Sequence, residues 1–246
     1  MQGPQGVGIE SVEVDEDGMM IITLTNGTVL PTIELPTGEP IEKGATRNLH
    51  YQKISGKDEY RVIGLGLASE QDIVISSTYN CLPVTEIGAN AFENESYITS
   101  VEIPDSITTI GESAFYDCDG LTSVTIGNSV TTIGNYAFSS CNNLTSVTIG
   151  NSVMTIGVSA FSGCSGLTSI TIPDSVLWIA YDAFLGCYGL ASVVFEDTST
   201  WYQVNDFDVW RNRTGDGEEI DATDVENLAK ILSDKYVMGE TMWYKL

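Results

Sequence analysis

One period of 23 residues constrains this chain more than any other feature. Its clearest copy runs from Leu121 to Asn143. The Ala-Phe pair marks the register at Ala91-Phe92, Ala114-Phe115, Ala137-Phe138, Ala160-Phe161 and Ala183-Phe184. Cys118, Cys141, Cys164 and Cys187 keep the same step, and so do Ile87, Ile110, Ile133, Ile156 and Ile179. A fixed period in the twenties means a solenoid, in which each repeat is one coil stacked on the next.

Within one period, Ser123-Val-Thr-Ile126 alternates polar and apolar, as a strand with one buried face does. A turn follows at Gly127-Asn128, then a second short strand over Val130–Ile133. Ala137 and Phe138 are expected to open a helical or 3₁₀ turn that runs to Cys141. The inward set is Leu121, Val124, Ile126, Val130, Ile133, Ala137, Phe138 and Cys141. A single coil cannot offset the entropy of ordering its own residues. Coils must therefore share faces and hydrogen bonds, and both ends need lids.

These residues resemble the BspA-type leucine-rich repeat of bacterial surface proteins. The match rests on a strand of the form Leu-x-x-Val-x-Ile, then Ser-Val-x-x-Ile-Gly-x-x-Ala-Phe-x-x-Cys, over roughly residues 47–246. The resemblance implies a curved, mostly β solenoid with a parallel sheet on one side, whose strand face takes ligands. It does not name the ligand.

The formal charge is 10 − 34 = −24. So acidic a chain has no electrostatic route to nucleic acid or anionic lipid. Charge is also unevenly placed. No Lys or Arg lies between Arg61 and Arg211, and residues 120–173 carry no charge at all. The central coils thus offer Ser, Thr, Asn and Gly, and recognition there depends on neutral hydrogen bonds and shape. No apolar run reaches the eighteen or so residues that span a bilayer. Met1 is followed by no basic and apolar leader, so no signal peptide is visible.

Taken in order, residues 1–34 read as a small β module with a Gly-Pro-rich lead. Its strands are Ile9–Val14, Met19–Thr25 and Thr28–Glu34, with Asn26-Gly27 as a hairpin signal. The lead, residues 3–8, is like the tail of a collagen-type tract. The module resembles small β units that follow such tracts in phage tail fibres and bacterial surface proteins. Three short strands make a marginal core, so packing on a neighbour or on further copies of the chain is expected. Residues 35–46 form a linker. Residues 47–86 are the N-terminal cap, with a hairpin over 49–54 and 60–64 and a first coil strand at Asp72–Ile75. Residues 87–195 hold five repeats. Residues 196–246 are a C-terminal cap, with a capping box at Thr223–Glu226 and a helix from Val225 to about Tyr236.

Nothing here suggests an enzyme. The single histidine, His50, sits on the cap hairpin without the rigid partners that nucleophilic catalysis needs. Residues 212–223 distantly resemble a calcium loop, but the bidentate acid at the twelfth position is missing. The four in-register cysteines are read as buried free thiols, because side chains in register point the same way and make poor disulfides and poor tetrahedral zinc sites. No cofactor or metal is expected. The candidate ligand-binding residues are Ser123, Thr125, Ser146, Thr148, Ser169 and Thr171 on the strand face. Trp178 and Tyr181 join them in the last coil, where Trp178 is either the seat of the C-terminal cap or a binding spot. The expected function is a non-catalytic binding or adhesion module of a cell-surface or secreted protein. Its expected partner is a host or cell-surface protein or glycan. The alternative is a tail-fibre or receptor-binding protein of a virion, and oligomerisation through the N-terminal module is possible in either case.

Overall fold

The computed structural model of the chain describes residues 9–14, 19–26, 28, 33–34, 44–197, 201–204, 218–220, 225–233 and 242–245. The lead at 3–8, most of the linker, the loop at 212–217 and the Thr223 cap lie outside these residues.

Three strands form a separate antiparallel sheet in chain order: β1 (Ile9–Val14), β2 (Met19–Leu24) and β3 (Ile33–Glu34). Residues 29–32 of the expected third strand lie outside the described residues. Asn26 shapes the β2 turn through its side chain, which accepts the Thr28 N–H at 3.0 Å.

The cap hairpin of β4 (His50–Lys53) and β5 (Tyr60–Gly64) comes next. The first coil holds β6 (Asp72–Val74), an inserted β7 (Thr78–Tyr79) and β8 (Leu82–Ile87). Coil two has β9 (Ser100–Glu102) and β10 (Thr109–Ile110), and coil three has β11 (Ser123–Thr125) and β12 (Thr132–Ile133). Coil four has β13 (Ser146–Thr148) and β14 (Thr155–Ile156), and coil five has β15 (Ser169–Ile172) and β16 (Trp178–Ile179). A sixth rung is β17 (Ser192–Phe195). The C-terminal cap supplies β18 (Trp201–Val204), β19 (Glu218–Ile220), a helix α1 (Val225–Ser233) and β20 (Met242–Lys245).

Parallel strands occupy two walls of the coil rather than one. The first wall runs β6-β9-β11-β13, then β15-β17. The second runs β8-β10-β12-β14-β16 and is extended at both ends, by β5 and β4 on one side and by β20, β18 and β19 on the other. Both caps therefore continue the second wall by strand pairing, and do not merely cover an end.

The third wall differs from the expected helical turn. In coil three the N–H groups of Tyr136, Phe138 and Ser140 donate to Val158, Ala160 and Ser162 of the next coil, at 2.8, 2.7 and 2.7 Å. Those of Ala137, Ser139 and Cys141 bond back within the coil, to Gly134, Tyr136 and Phe138. Alternate amides thus point along the solenoid axis, which a helix would forbid. Tyr136 and Ser140 sit at φ 56° and 63° to make this possible, in the left-handed region that non-glycine residues enter rarely. The Phe turn is a third inter-coil ladder.

The predicted inward set is buried throughout coil three. Phe92, Phe115, Phe138, Phe161 and Phe184 form a column, with successive ring centroids 5.0, 5.1, 5.2 and 5.3 Å apart and near-parallel planes. Each thiol of the cysteine row donates to a phenylalanine carbonyl of the preceding coil, as Cys141 does to Phe115 at 3.1 Å. Glycine sets the coil spacing. A Cβ on Gly134 would stand 2.6 Å from the carbonyl carbon of Gly111, nearer than packed atoms approach.

Phe138→Ala should destabilise the fold by about 3–5 kcal/mol, as large-to-small changes in a rigid core do. A denaturation curve matching the wild type would show that this ring does not support its neighbours.

Candidate functional site

The outward positions of the first wall form two rows. Thr125, Thr148 and Thr171 are exposed, as are Ser146 and Ser169, while Ser123 is half-buried. β-pairing aligns Ser123 with Ser146 and Thr125 with Thr148, and extends both rows to Ser100 and Glu102. At the far end Thr171 aligns with Val194, which is exposed. Six of the eight candidate residues are thus on one neutral face.

A neighbouring threonine row, not singled out from sequence, does a different job. Thr122 donates its hydroxyl to the Thr99 carbonyl at 2.9 Å, and Thr145 to Thr122 at 3.1 Å. Thr131 likewise bonds Thr108 on the approach to the second wall, at 3.1 Å. These hydroxyls tie coils together, although Thr122 and Thr145 are themselves exposed. The row starts at Asp72, whose Oδ1 accepts from Thr99 at 2.8 Å and from Ser100 at 2.6 Å. The Ser100 bond, then the Thr99 bond, hold its carboxyl below the usual aspartate value.

At the edge of the first wall the chain turns through a groove of about 510 Å³. Glu102 and Asp105, Thr125 and Asn128, and Thr148 and Asn151 line it in three successive coils. Its Asp/Asn row is stitched to backbone, with Asp105 Oδ1 accepting the Asn128 N–H at 2.6 Å and Asn128 Oδ1 accepting the Asn151 N–H at 3.3 Å.

Trp178 and Tyr181 belong elsewhere. Trp178 lies in β16 on the second wall and aligns with Thr155 on one side and Tyr244 of β20 on the other. It is half-buried where the C-terminal cap joins the coils, which is the seat the sequence left as one of two options. Tyr181 follows it in the Phe turn and is 37% exposed. Neither shares the hydroxyl face.

The cap is secured by a residue that the sequence did not flag. Lys245 is 7% exposed, and its Nζ bonds Asp197 Oδ2 at 2.7 Å and the Asp174 carbonyl. One ammonium thus ties the cap to coil five and to the end of β17. Trp201 and Trp243 pack on Phe195 beside it.

His50 is exposed on β4, opposite Gly64. Among the described residues no group of three His, Cys, Asp or Glu side chains could hold a metal ion. Of the five cysteines, Cys81 is exposed and the four of the row are buried and unpaired by disulfides. The Cys118 thiol beside it, followed by burial, holds the Cys141 thiol well above its ordinary value, and Cys187 and burial do the same for Cys164. Within the described residues, no helix is long and apolar enough to cross a membrane.

A family model described as the BspA type leucine-rich repeat region matches residues 85–208, in six copies. This chain belongs to the BspA-type leucine-rich repeat family. Two solved leucine-rich repeat structures are similar to this chain. A leucine-rich repeat protein of T. pallidum, TpLRR, is 29% identical, with a TM-score of 0.57, over 59% of this chain and 68% of that one. A leucine-rich repeat protein from Bacteroides ovatus is 31% identical, with a TM-score of 0.54, over 62% of this chain and 41% of that one. The match thus spans about two-thirds of the first protein and less than half of the second. No curated protein matches the chain. Members of the family are typically cell-surface or secreted binding modules, and the family is generally non-catalytic.

In the native state a thiol reagent should label Cys81 quickly and the four row cysteines slowly, because thiolate formation there is opposed by burial. Rapid labelling of more than one thiol would contradict the burial of the row. Asp197→Ala should destabilise the C-terminal cap by about 2–3 kcal/mol, at or below the lower end of the range for breaking a buried pair, because Asp197 is partly solvated. Melting monitored by tryptophan fluorescence reads this directly.

Proposed function

We propose that this chain is a non-catalytic binding module of a cell-surface or secreted bacterial protein, and that it recognises a protein or glycan through the first wall. The observation that carries this reading is the exposure of Thr125, Thr148, Thr171, Ser146 and Ser169 on a stretch with no charge between residues 120 and 173. Hydroxyls in two rows, at about the strand spacing of 4.8 Å where the strands pair, suit a partner with closely spaced neutral donors and acceptors. The groove beside Thr125 and Thr148 adds amide groups from Asn128 and Asn151 along the same edge. Family membership supports a surface or secreted setting.

The tail-fibre alternative draws mainly on residues 3–8, outside the described residues, and on the antiparallel module over β1–β3. Nothing in the described residues favours it over the surface reading.

Binding centred on coils three to five should show little salt dependence, since ionic screening acts on charges and residues 120–173 have none. An array of neutral glycans and extracellular-matrix proteins, probed at low and high salt, tests this. Replacing Thr125, Thr148 and Thr171 together by Lys should abolish capture while leaving the melting curve close to wild type. Unchanged capture by the triple variant would move the site off the first wall.

A further inference from the structure

The three walls are not equally continuous. The second wall passes without interruption from coil four to coil five, with Thr155 paired to Trp178 and Ile156 to Ile179. The Phe turn also passes through, as the Phe161 N–H donates to Ala183 at 2.7 Å and the rings stack at 5.3 Å. The first wall stops. Its strands divide into β6-β9-β11-β13 and β15-β17, with no pairing between β13 and β15.

The ladder bonds of that wall break at the same place. Bonds flanking it persist, from the Gly166 N–H to Asn142 at 2.9 Å and from the Ser175 hydroxyl to Val153 at 2.8 Å. Ile103 and Ile126 donate to Thr125 and Thr148 of the next coil, both at 2.9 Å, but Ile149 makes no such bond to Thr171. The backbone bond of Thr145 to Thr122 and the hydroxyl bond between the same residues do not recur from Thr168 to Thr145. The Asp105-Asn128-Asn151 stitching ends before Asp174. Val147 is half-buried, whereas Val101, Val124, Ile170 and Val193 at the same coil position are buried.

At this step one coil position changes from Gly to Pro. Coils three and four place Gly127 and Gly150 against the carbonyl of the coil before. A Cβ on Gly127 would lie 2.6 Å from the Pro104 oxygen, and one on Gly150 would lie 2.2 Å from the Gly127 oxygen. Coil five has Pro173 in this position. Its ring adds bulk where Gly127 and Gly150 carry none. Since Glu196 at the same position one coil on still donates its N–H to Ile172 at 3.0 Å, the step from Gly150 to Pro173 is the distinctive one. Pro104, the other proline of the series, stacks on the coil with the β7 insertion, where the period is interrupted.

We propose that this seam is a hinge built into the solenoid, with Pro173 as its wedge. The intact second wall and Phe column form the axis, and the first wall opens and closes across Val147 and Ile170. Everything downstream moves as one block. The cap is attached only beyond the seam among the described contacts: β20 pairs with β16, Lys245 bonds Asp174 and Asp197, and the Gly186 N–H donates to Ser233 of α1 at 3.2 Å. The hydroxyl face is thereby divided, with Thr125 and Thr148 on one block and Thr171 on the other. The hinge rests on ladder geometry and stands independently of what the face binds.

Amide hydrogen exchange on the full chain tests it. Ile149 and Thr168 should exchange at least about tenfold faster than Ile126 and Thr145, because their ladder bonds are missing. Pro173→Gly should slow Ile149 and Thr168 toward their counterparts. Gly127→Ala should do the reverse one step earlier, speeding exchange at Ile103 by opening β9 from β11. Motion is read by spin labels at Thr125 and Val194, exposed on opposite sides of the seam, in a Cys81→Ser background. The wild type should give a broader distance distribution than Pro173→Gly. Equal protection of Ile149 and Ile126 in the wild type would overturn the seam, whether or not the variants fold. Equally narrow distributions in wild type and Pro173→Gly would overturn the hinge.

Discussion

Close stacking of one coil on the next is the constraint on which the rest of this molecule depends. No coil has a core of its own. Each buries Phe, Ile, Val and Leu only because a neighbour lies at hydrogen-bonding distance on all sides of the ring. That distance is set by backbone approaching backbone, as at Gly134 over Gly111. Once it holds, three ladders close together: two of short parallel strands and one of alternating turn amides. The phenylalanine column, the thiol bonds to phenylalanine carbonyls and the threonine bonds from coil to coil then follow from a single translation.

The same translation explains how structural and candidate binding groups are sorted. Neighbouring threonines in one strand look alike in sequence. Thr122 and Thr145 reach back to a carbonyl of the preceding coil, and their hydroxyls are satisfied there. Thr125 and Thr148, three residues on, face outward and remain exposed. The central rungs of this wall present hydroxyls at fixed intervals without charge, and charge enters at its first two rungs through Asp72 and Glu102.

Departures from the translation mark where the molecule is specialised. The β7 insertion lengthens the first coil, and β6 and β9 stay paired below Pro104. The first wall parts at the step to Pro173. Trp178 replaces threonine in the same coil, and the second wall there turns from parallel repeats to the antiparallel strand of the cap. One coil thus combines a broken wall, a changed pairing direction and the buried ammonium of Lys245. The cap depends on coil five, and coil five is the rung least bound to its predecessor.

The sequence by itself determined the period, the inward residues, the free thiols and the neutrality of the central face. Each is local or strictly repeated, so periodicity alone reveals it. The cap hairpin was legible from alternation and turn residues, and the helix starting at Val225 from its capping box. Tertiary structure decided the rest. The Phe turn became a ladder and not a helix because its alternate amides have partners 22 residues away, as in Phe138 to Ala160. Trp178 became a junction because β20, from the far end of the chain, lies beside it. The seam appears only when the strands of successive coils are set side by side, because the missing β13–β15 pairing lies between positions 23 residues apart.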